Sequence, residues 1–442
     1  MTADRSGHEL GPLIRLAVPL AAQQVGVQLM GSVDAALLGR YSDAALAGAG
    51  VGNNLLFGIS SLGLGIVMGM DTVVPQALGG GRIDDARRAV GAGVRLAVLV
   101  GLVLTLVTFA TPLILDVARV DPAVIAEARP YLYLRAIGIV PFLITIALRS
   151  YLTAHHVTRP LIIAVVAGNA LNFVLDVALI FGVPALHIPP LGVLGAALAT
   201  SAVLALTVVV YAAGVRAVDA SHQGPRPAST TADLAAIARV GAPVGGQIFA
   251  EVGIFGVATV IAAHLGALPA DAHSIALNIS SFTFSFAVGI ASATSVRVGH
   301  ATGAGDLALA RRRGLVGLGL GLAAMACFAA IFALVPGAIA RAFTADATVI
   351  ATTVPLLYIA AAFQLFDGTQ SIVAGALRGL GHTRETLYGN LVGHYAIGLP
   401  VILLLGFTAG LGIVGIWWGL SCGLAATGIY LVVRFLRATR QK

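Results

Sequence analysis

Twelve long apolar runs decide what this chain can fold into. They cover 11–38, 45–70, 90–114, 130–152, 160–182, 191–213, 235–263, 270–296, 314–336, 348–377, 386–407 and 411–434. A bilayer-crossing helix needs about 20 apolar residues, because lipid offers backbone N–H and C=O groups no partner outside the helix itself. A membrane barrel would show alternating segments of about 10 residues instead, and the sequence has none. Of 442 residues, 58% are hydrophobic and only 10% charged, whereas soluble domains are about a quarter charged. A cytosolic enzyme, a disordered chain and a collagen-like chain are excluded. The expected fold is all-α and integral to a membrane.

The polar residues say which way the helices run. The first run follows a polar start and carries Arg15, Gln23, Gln24, Gln28 and Asp34. It lacks the clean short core of a signal peptide, so it reads as a retained helix. Lys442 is the only lysine, so the net charge of +7 is made by arginine. With the N-terminus inside, 21 of the 26 basic residues fall in or beside cytoplasmic segments. The other five are Arg40, Arg119, Arg129, Arg135 and Arg341. The positive-inside rule then puts both termini in the cytoplasm. The basic charge is thus spent on orientation, and nucleic acid is not the expected partner. Cys327 and Cys422 lie far apart in apolar stretches and form no metal or disulfide pattern.

The chain also repeats itself. A shift of 224 superposes Pro19 on Pro243, Gln23 on Gln247, Asn54 on Asn278, Gly79 on Gly303 and Arg87-Arg88 on Arg311-Arg312. A shift of 225 superposes Pro130 on Pro355, Tyr133 on Tyr358 and Arg159 on Arg384. Each copy holds six spans, an even number, so both copies start on the same side and the repeat is parallel. The expected organisation is a six-helix lobe over 1–213, a polar cytoplasmic linker over 214–234 and a second six-helix lobe over 235–442. Two lobes around a cleft suit alternating access.

Carboxylates inside spans need a reason, since each costs about 2.5–3.5 kcal/mol on insertion scales. Asp34, Glu251 and Asp367 sit well inside spans, and Asp176 lies in the outer half of the fifth. Each has polar company at helical spacing. Asn169, Asn172 and Asp176 share one face; Gln247 precedes Glu251 by four; Gln364, Asp367, Gln370 and Ser371 form a stripe. The plain alternative is that such groups merely bond helices together. That explanation wants a cationic partner for a carboxylate, and the sequence offers no mid-span cation beside these four. Carboxylate and amide oxygens suit hard cations or a proton, so these residues are candidate coupling sites. Asp71 and Asp116, near span ends, read as solvated or capping residues. Gln28, Met30, Asn54, Gln247, Asn278, Phe282, Phe286, Gln364 and Gln370 are candidate cavity-lining residues.

Other motifs are weaker. Gly303-Ala304-Gly305-Asp306 matches the GxGD of intramembrane aspartyl proteases, but it falls in a loop and its repeat partner Gly79-Gly80-Gly81-Arg82 lacks the acid. Gly410 to Gly415 matches GxGxxG with no strand before it, so it reads as a turn or packing glycines. His155-His156 cannot hold a metal from one helix face. No Walker A sequence is present, so an ion gradient is the expected energy source.

The residues Ser32-Val33-Asp34 before Leu38-Gly39-Arg40, and Gln76-Ala77-Leu78-Gly79-Gly80-Gly81, open the argument for a family. Glu251 with Ala272-His273-Ser274-Ile275-Ala276-Leu277-Asn278, then Arg297-Val298-Gly299-His300, continue it. Asp367-Gly368-Thr369-Gln370 leading to Gly375-Ala376-Leu377-Arg378-Gly379 completes it. In this order and placement the chain resembles the multidrug and toxic compound extrusion (MATE) transporters, in their bacterial NorM/DinF-like branches. The resemblance implies a V-shaped pair of six-helix bundles and export of organic cations against a Na+ or H+ gradient. It implies coupling at Glu251 and Asp367 in NorM-like members, and at Asp34, Asn172 and Asp176 in DinF-like ones. The chain departs from the NorM-like pattern at Phe363, where a tyrosine oxygen is expected. The expectations are therefore a secondary antiporter, not an enzyme, in a bacterial inner membrane, acting as a monomer on drug-like cations. No cofactor or metal is expected beyond a coupling Na+ or H+ at Asp34/Asp176 or Glu251/Asp367. The rival readings are a lipid-linked oligosaccharide flippase of the same superfamily, an ion channel and a membrane receptor.

Overall fold

The computed structural model describes residues 4–113, 121–222 and 224–440, with side chains from Glu9 onward. Asp116, Arg119, Lys442 and the side chain of Arg5, all used in the charge reading, lie outside these. Among the described residues the chain is helical, with a lone two-residue bridge between Val183 and Ile188. In chain order the helices are α1 Asp4–Tyr41, α2 Asp43–Val67, α3 Met70–Gly79, α4 Ile83–Ala110, α5 Pro122–Ile137, α6 Ile139–Ala154, α7 Arg159–Ile180 and α8 Val193–Ala220. The second half continues with α9 Thr231–His264, α10 Ala267–Gly303, α11 Leu307–Leu334, α12 Pro336–Phe343, α13 Ala347–Leu380 and α14 Thr383–Asn390. After α14 the backbone runs on through a π-helical stretch Leu391–Gly398, α15 Leu399–Leu403 and a second π-helical stretch Leu404–Thr408, before α16 Gly412–Ala438.

Eleven of these segments are long and apolar enough to cross a membrane, and a bent pair makes a twelfth. The bent pair, α5 and α6, meets at 44° and replaces the straight fourth span expected at 130–152. Pro141 explains the bend: it has no N–H to give the carbonyl four residues back, at Ile137, and its ring crowds that carbonyl. The polar segment between halves is shorter than 214–234, because α8 runs to Ala220 and α9 begins at Thr231.

The chain forms two compact units. One holds Val25–Leu78 and Arg82–Gly245; the other holds Met1–Gln24, Gly79–Gly81 and Gly246–Lys442. They are called here the first and second bundle. The first helix of each half is thus divided: the start of α1 packs within the second bundle and the start of α9 within the first. The core of the first bundle includes Leu38, Tyr131, Ile180 and Val193. That of the second is built around Ile254, Phe363, Trp417 and Leu424.

Small residues let those divided helices approach closely. In the first bundle Gly65 and Gly69 of the α2 region face Gly241 and Gly245 of α9. A Cβ on Gly65 would stand 2.3 Å from the Gly245 backbone, and one on Gly241 would stand 1.9 Å from the Ile66 carbonyl oxygen. Subtracting or adding 224 gives the matching place in the second bundle, Ala17 and Ala21 of α1 against Gly289 and Ala293 of α10. A Cβ on Gly289 would stand 2.4 Å from the Ala21 backbone. Close backbone approach at paired small residues is how helices associate in lipid, where the hydrophobic effect does not drive them together.

The segment between the halves is tied to the first bundle. Arg87 Nη2 donates to the Gly224 carbonyl (3.0 Å) and Arg95 Nη1 to that of Ser229 (3.0 Å). Asp219 accepts from Tyr151 Oη (3.1 Å) and pairs with Arg226. The Gly303–Asp306 loop is a helix start: Gly305 takes φ +78° and Asp306 caps α11 by accepting from Leu309 N at 2.8 Å. Gly410 and Gly412, at φ +70° and +54°, make the turn into α16.

Candidate cation sites

In the first bundle α1 brings Asp34 beside Asn172 and Asp176 of α7. Asn172 and Asp176 are fully buried, one turn apart on one face. Asp34, Asp176 and Asn172 stand beside one another and act on one another electrostatically. Thr200 of α8 donates from Oγ1 to Asp34 Oδ2 at 3.3 Å. Neither oxygen of Asp176, nor Asn172 Nδ2, has a protein hydrogen-bond partner among the described residues. Two acids side by side hold a shared proton or a cation far better than they tolerate two bare charges.

The absence of a mid-span cation, expected from the sequence, is corrected here. Arg135, counted there among outer residues, sits near the end of α5 and acts electrostatically on Asp34, with Tyr131 beside it. It sits on a different helix from Asp34, so only the packing brings the two near each other. Asp71 also departs from expectation: it is buried, and Ser150 Oγ donates to its Oδ1 at 2.5 Å.

The second bundle holds the other acids. Gln370 Nε2 of α13 donates to Glu251 Oε1 of α9 at 2.9 Å. Gln247 and Asn390 stand beside Glu251, Arg378 acts on it from further along α13, and Asp367 lies within its field. Gln247, Asp367, Gln370 and Asn390 are all buried. Asn390 ends α14, and neither of its amide atoms has a geometric hydrogen bond. Phe363 packs between Phe255 (6.1 Å between centroids) and Trp417 (5.4 Å), so the expected tyrosine position is aromatic and supplies no oxygen.

The candidate cavity residues divide. Gln247 and Gln370 join the acid site. Gln364 is buried and donates to Thr283 Oγ1, as a helix-to-helix bond. Gln28 and Met30 are half-buried, while Asn54, Asn278 and Phe282 are exposed, with Asn278 Nδ2 donating to its own helix at the Ser274 carbonyl (2.9 Å). Phe286 stacks between Phe282 (6.1 Å) and Phe328 (5.0 Å). Sequence reasoning missed Thr200, Arg135 and Asn390. Asn390 precedes a π-helical stretch whose different period hides which residues share its face.

The chain was compared with known proteins. The MatE family profile matches residues 19–178 and 243–404, one match in each half. The chain is 37% identical over 445 residues to a probable multidrug resistance protein NorM of Deinococcus radiodurans, covering 98% of this chain and 96% of that one. It is 36% identical over 436 residues to a protein of the same name from Pseudomonas putida, covering 97% and 94%. In fold it is similar to the eukaryotic MATE transporter AtDTX14, with a TM-score of 0.88 at 20% identity over 98% of each chain. It is also similar to a MOP superfamily transporter from Pyrococcus furiosus, with a TM-score of 0.88 at 18% identity over 98% and 97%. Two profile matches spaced as the internal repeat is spaced, and relatives above 30% identity along nearly the whole length, leave one conclusion: the chain belongs to the MatE family of membrane transporters, among its NorM-like members.

Proposed function

We propose that the protein is an antiporter that exports amphipathic organic cations from a bacterial cell, driven by inward movement of Na+ or H+ through its buried acids. Two acid clusters, one per bundle, carry the reading, and the Gln370–Glu251 bond at 2.9 Å beside Asp367 is its firmest observation. The acids lie in spans and none of Asp34, Glu251 and Asp367 forms an arginine ion pair within 4.0 Å among the described residues. NorM names on relatives support drug-like substrates, and the acids grouped at Asp34/Asp176 and Glu251/Asp367 favour cationic ones. In alternating access, loading an acid favours one arrangement of the protein and binding drug favours another. An ion moves that equilibrium only by its difference in affinity for the two.

The test is a fluorescent organic cation in proteoliposomes under an imposed Na+ or H+ gradient, applied in turn. The wild-type protein drives the dye against its gradient with one of the two ions. Glu251→Gln and Asp34→Asn insert normally, and at least one abolishes the driven transport. Full transport by both variants sinks the coupling role, and dye movement indifferent to either gradient sinks antiport.

A further inference from the structure

The second bundle holds buried polar groups that the acid pair does not use. They form layers leading from that pair toward the end of the bundle opposite the chain termini, the outer end under the positive-inside reading. The first layer is Glu251, Asp367, Gln370 and Asn390. One turn along α9 from Glu251, Phe255 packs against His394 at 6.4 Å between centroids. A further turn along, Thr259 Oγ1 lies 3.2 Å from Nε2 of His273, whose ring faces Trp417 at 5.9 Å.

His394 is fully buried, and neither ring nitrogen has a protein hydrogen-bond partner. The same holds for His273 Nδ1 and for both amide atoms of Asn390. Buried polar groups in native proteins are almost always satisfied, so a string of them aimed along one path marks a path for water or protons. Three features aim His394 there. It lies in the π-helical stretch Leu391–Gly398, four residues after Asn390, and such stretches often occur at functional sites. Gly423 of α16 leaves room for the ring, since a Cβ there would stand 3.3 Å from His394 Nδ1. On the other flank Phe255 and Phe363 close the layer with apolar rings, so the imidazole is its polar element.

We propose that His394 relays protons between the outer end of the second bundle and the Glu251–Asp367 pair, through a water held by Asn390. This rests on reading those acids as coupling groups. One turn separates the His394 layer from Glu251, about 6 Å along the helix, which one bridging water spans. Imidazole suits the step because it accepts a proton on one nitrogen and releases the other from its second. The proton arrives from outer water, leaves by the opposite ring nitrogen, crosses the water at Asn390 and ends on a carboxylate oxygen. Only N–H and O–H bonds form and break. The titratable and charged groups around the relay are Glu251 on α9, Asp367 and Arg378 on α13, His273 on α10 and Tyr395 beside His394, whose Oη donates to the Ala250 carbonyl (2.8 Å), while α16 presents Gly423.

The test uses the full-length protein in lipid nanodiscs. After a rapid pH drop, the carboxyl C=O infrared band of Glu251, assigned by its loss in Glu251→Gln, reports proton arrival. His394→Gln slows that arrival by roughly tenfold or more while leaving the titration midpoint in place, whereas Asn390→Ala, which also strips a neighbour from Glu251, slows it and moves the midpoint. A merely structural role would move the midpoint or the fold, not the rate alone. Should His394→Gln fail to fold, His394→Asn carries the test. Unchanged rates in the folded variants overturn the relay. Failure of gradient-driven drug transport in the wild-type protein overturns the antiport reading instead, and the infrared rate is independent of it.

Discussion

Arg135 changes the arithmetic of the first acid cluster. Asp34 and Asp176 would together place two charges in the membrane, and one guanidinium compensates one of them. The cluster is then balanced when it holds one further positive charge, a proton or a cation. Removing the arginine leaves the two acids without that compensating field. Arg135 is half-buried and makes no contact ion pair with Asp34, so Arg135→Met is expected to cost about 1 kcal/mol or less. In an Asp34→Asn background the same change should cost far less, because the charge it answered is gone. A double-mutant cycle on thermal unfolding in detergent measures the coupling; additive effects would show that Arg135 does not serve Asp34. The acids themselves were legible in the sequence because any carboxylate in an apolar run stands out. Their partners were not, because Thr200 and Arg135 sit on other helices, at positions that only the packing brings near Asp34.

Among helices, the glycines divide into those that touch another backbone and those that do not. Gly65 meets Gly245 across α2 and α9, whereas Gly58, on the same helix, has open space where its Cβ would go. Gly65→Ala is therefore expected to destabilise by about 1–3 kcal/mol or more, since backbone rather than a side chain must move. Gly58→Ala should be neutral or gain up to about 1 kcal/mol from helix propensity. Thermal unfolding of the two variants side by side decides it, and equal effects would mean that the crossing is loose. Helix ends add a pH-sensitive case. Asp346 caps α13 by accepting from Thr348 N (2.7 Å) and Val349 N (3.3 Å), and the backbone bond from Thr348 holds its carboxyl below the ordinary 3.8. A lowered native value means stability that is present above pH 3.8 and lost as pH falls through the native value. Asp346→Ala should speed amide exchange at Thr348 and Val349 near pH 7, and the difference should shrink as pH falls below the ordinary carboxylate range; an acceleration that does not change with pH would rule out the carboxylate as the cap. The spans were readable from apolar run length alone. The bend at Pro141 and the π-helical turns after Asn390 were not, because hydropathy is blind to a missing N–H or a changed period.

At the scale of the whole chain, the two halves repeat even where they differ in strength. Glu9 and Asp233 are 224 residues apart, the spacing of the repeat, and each stands near the start of the first helix of its half. Each holds that start within a bundle built mainly from the other half. Glu9 pairs with Arg297 and with Arg313 Nε (3.0 Å), while Asp233 lies 3.8 Å from Arg88 Nε. The environments are unequal: Glu9 and Arg297 have side chains 14% and 8% exposed, against 25% and 32% for Asp233 and Arg88. An exposed pair is worth about 0–1 kcal/mol. Removing the acid between two largely buried guanidinium groups leaves them facing each other unneutralised, at a cost of about 3–5 kcal/mol. Glu9→Gln should therefore lower thermal stability sharply and free the start of α1, whereas Asp233→Asn should change it little, although the repeat makes the positions equivalent. Unfolding temperatures of the two variants, read with the exchange rates of backbone amides over Leu10–Ala21, settle the matter. Equal losses would show that burial does not set the strength of these clasps, and a loss confined to Asp233→Asn would reverse the assignment.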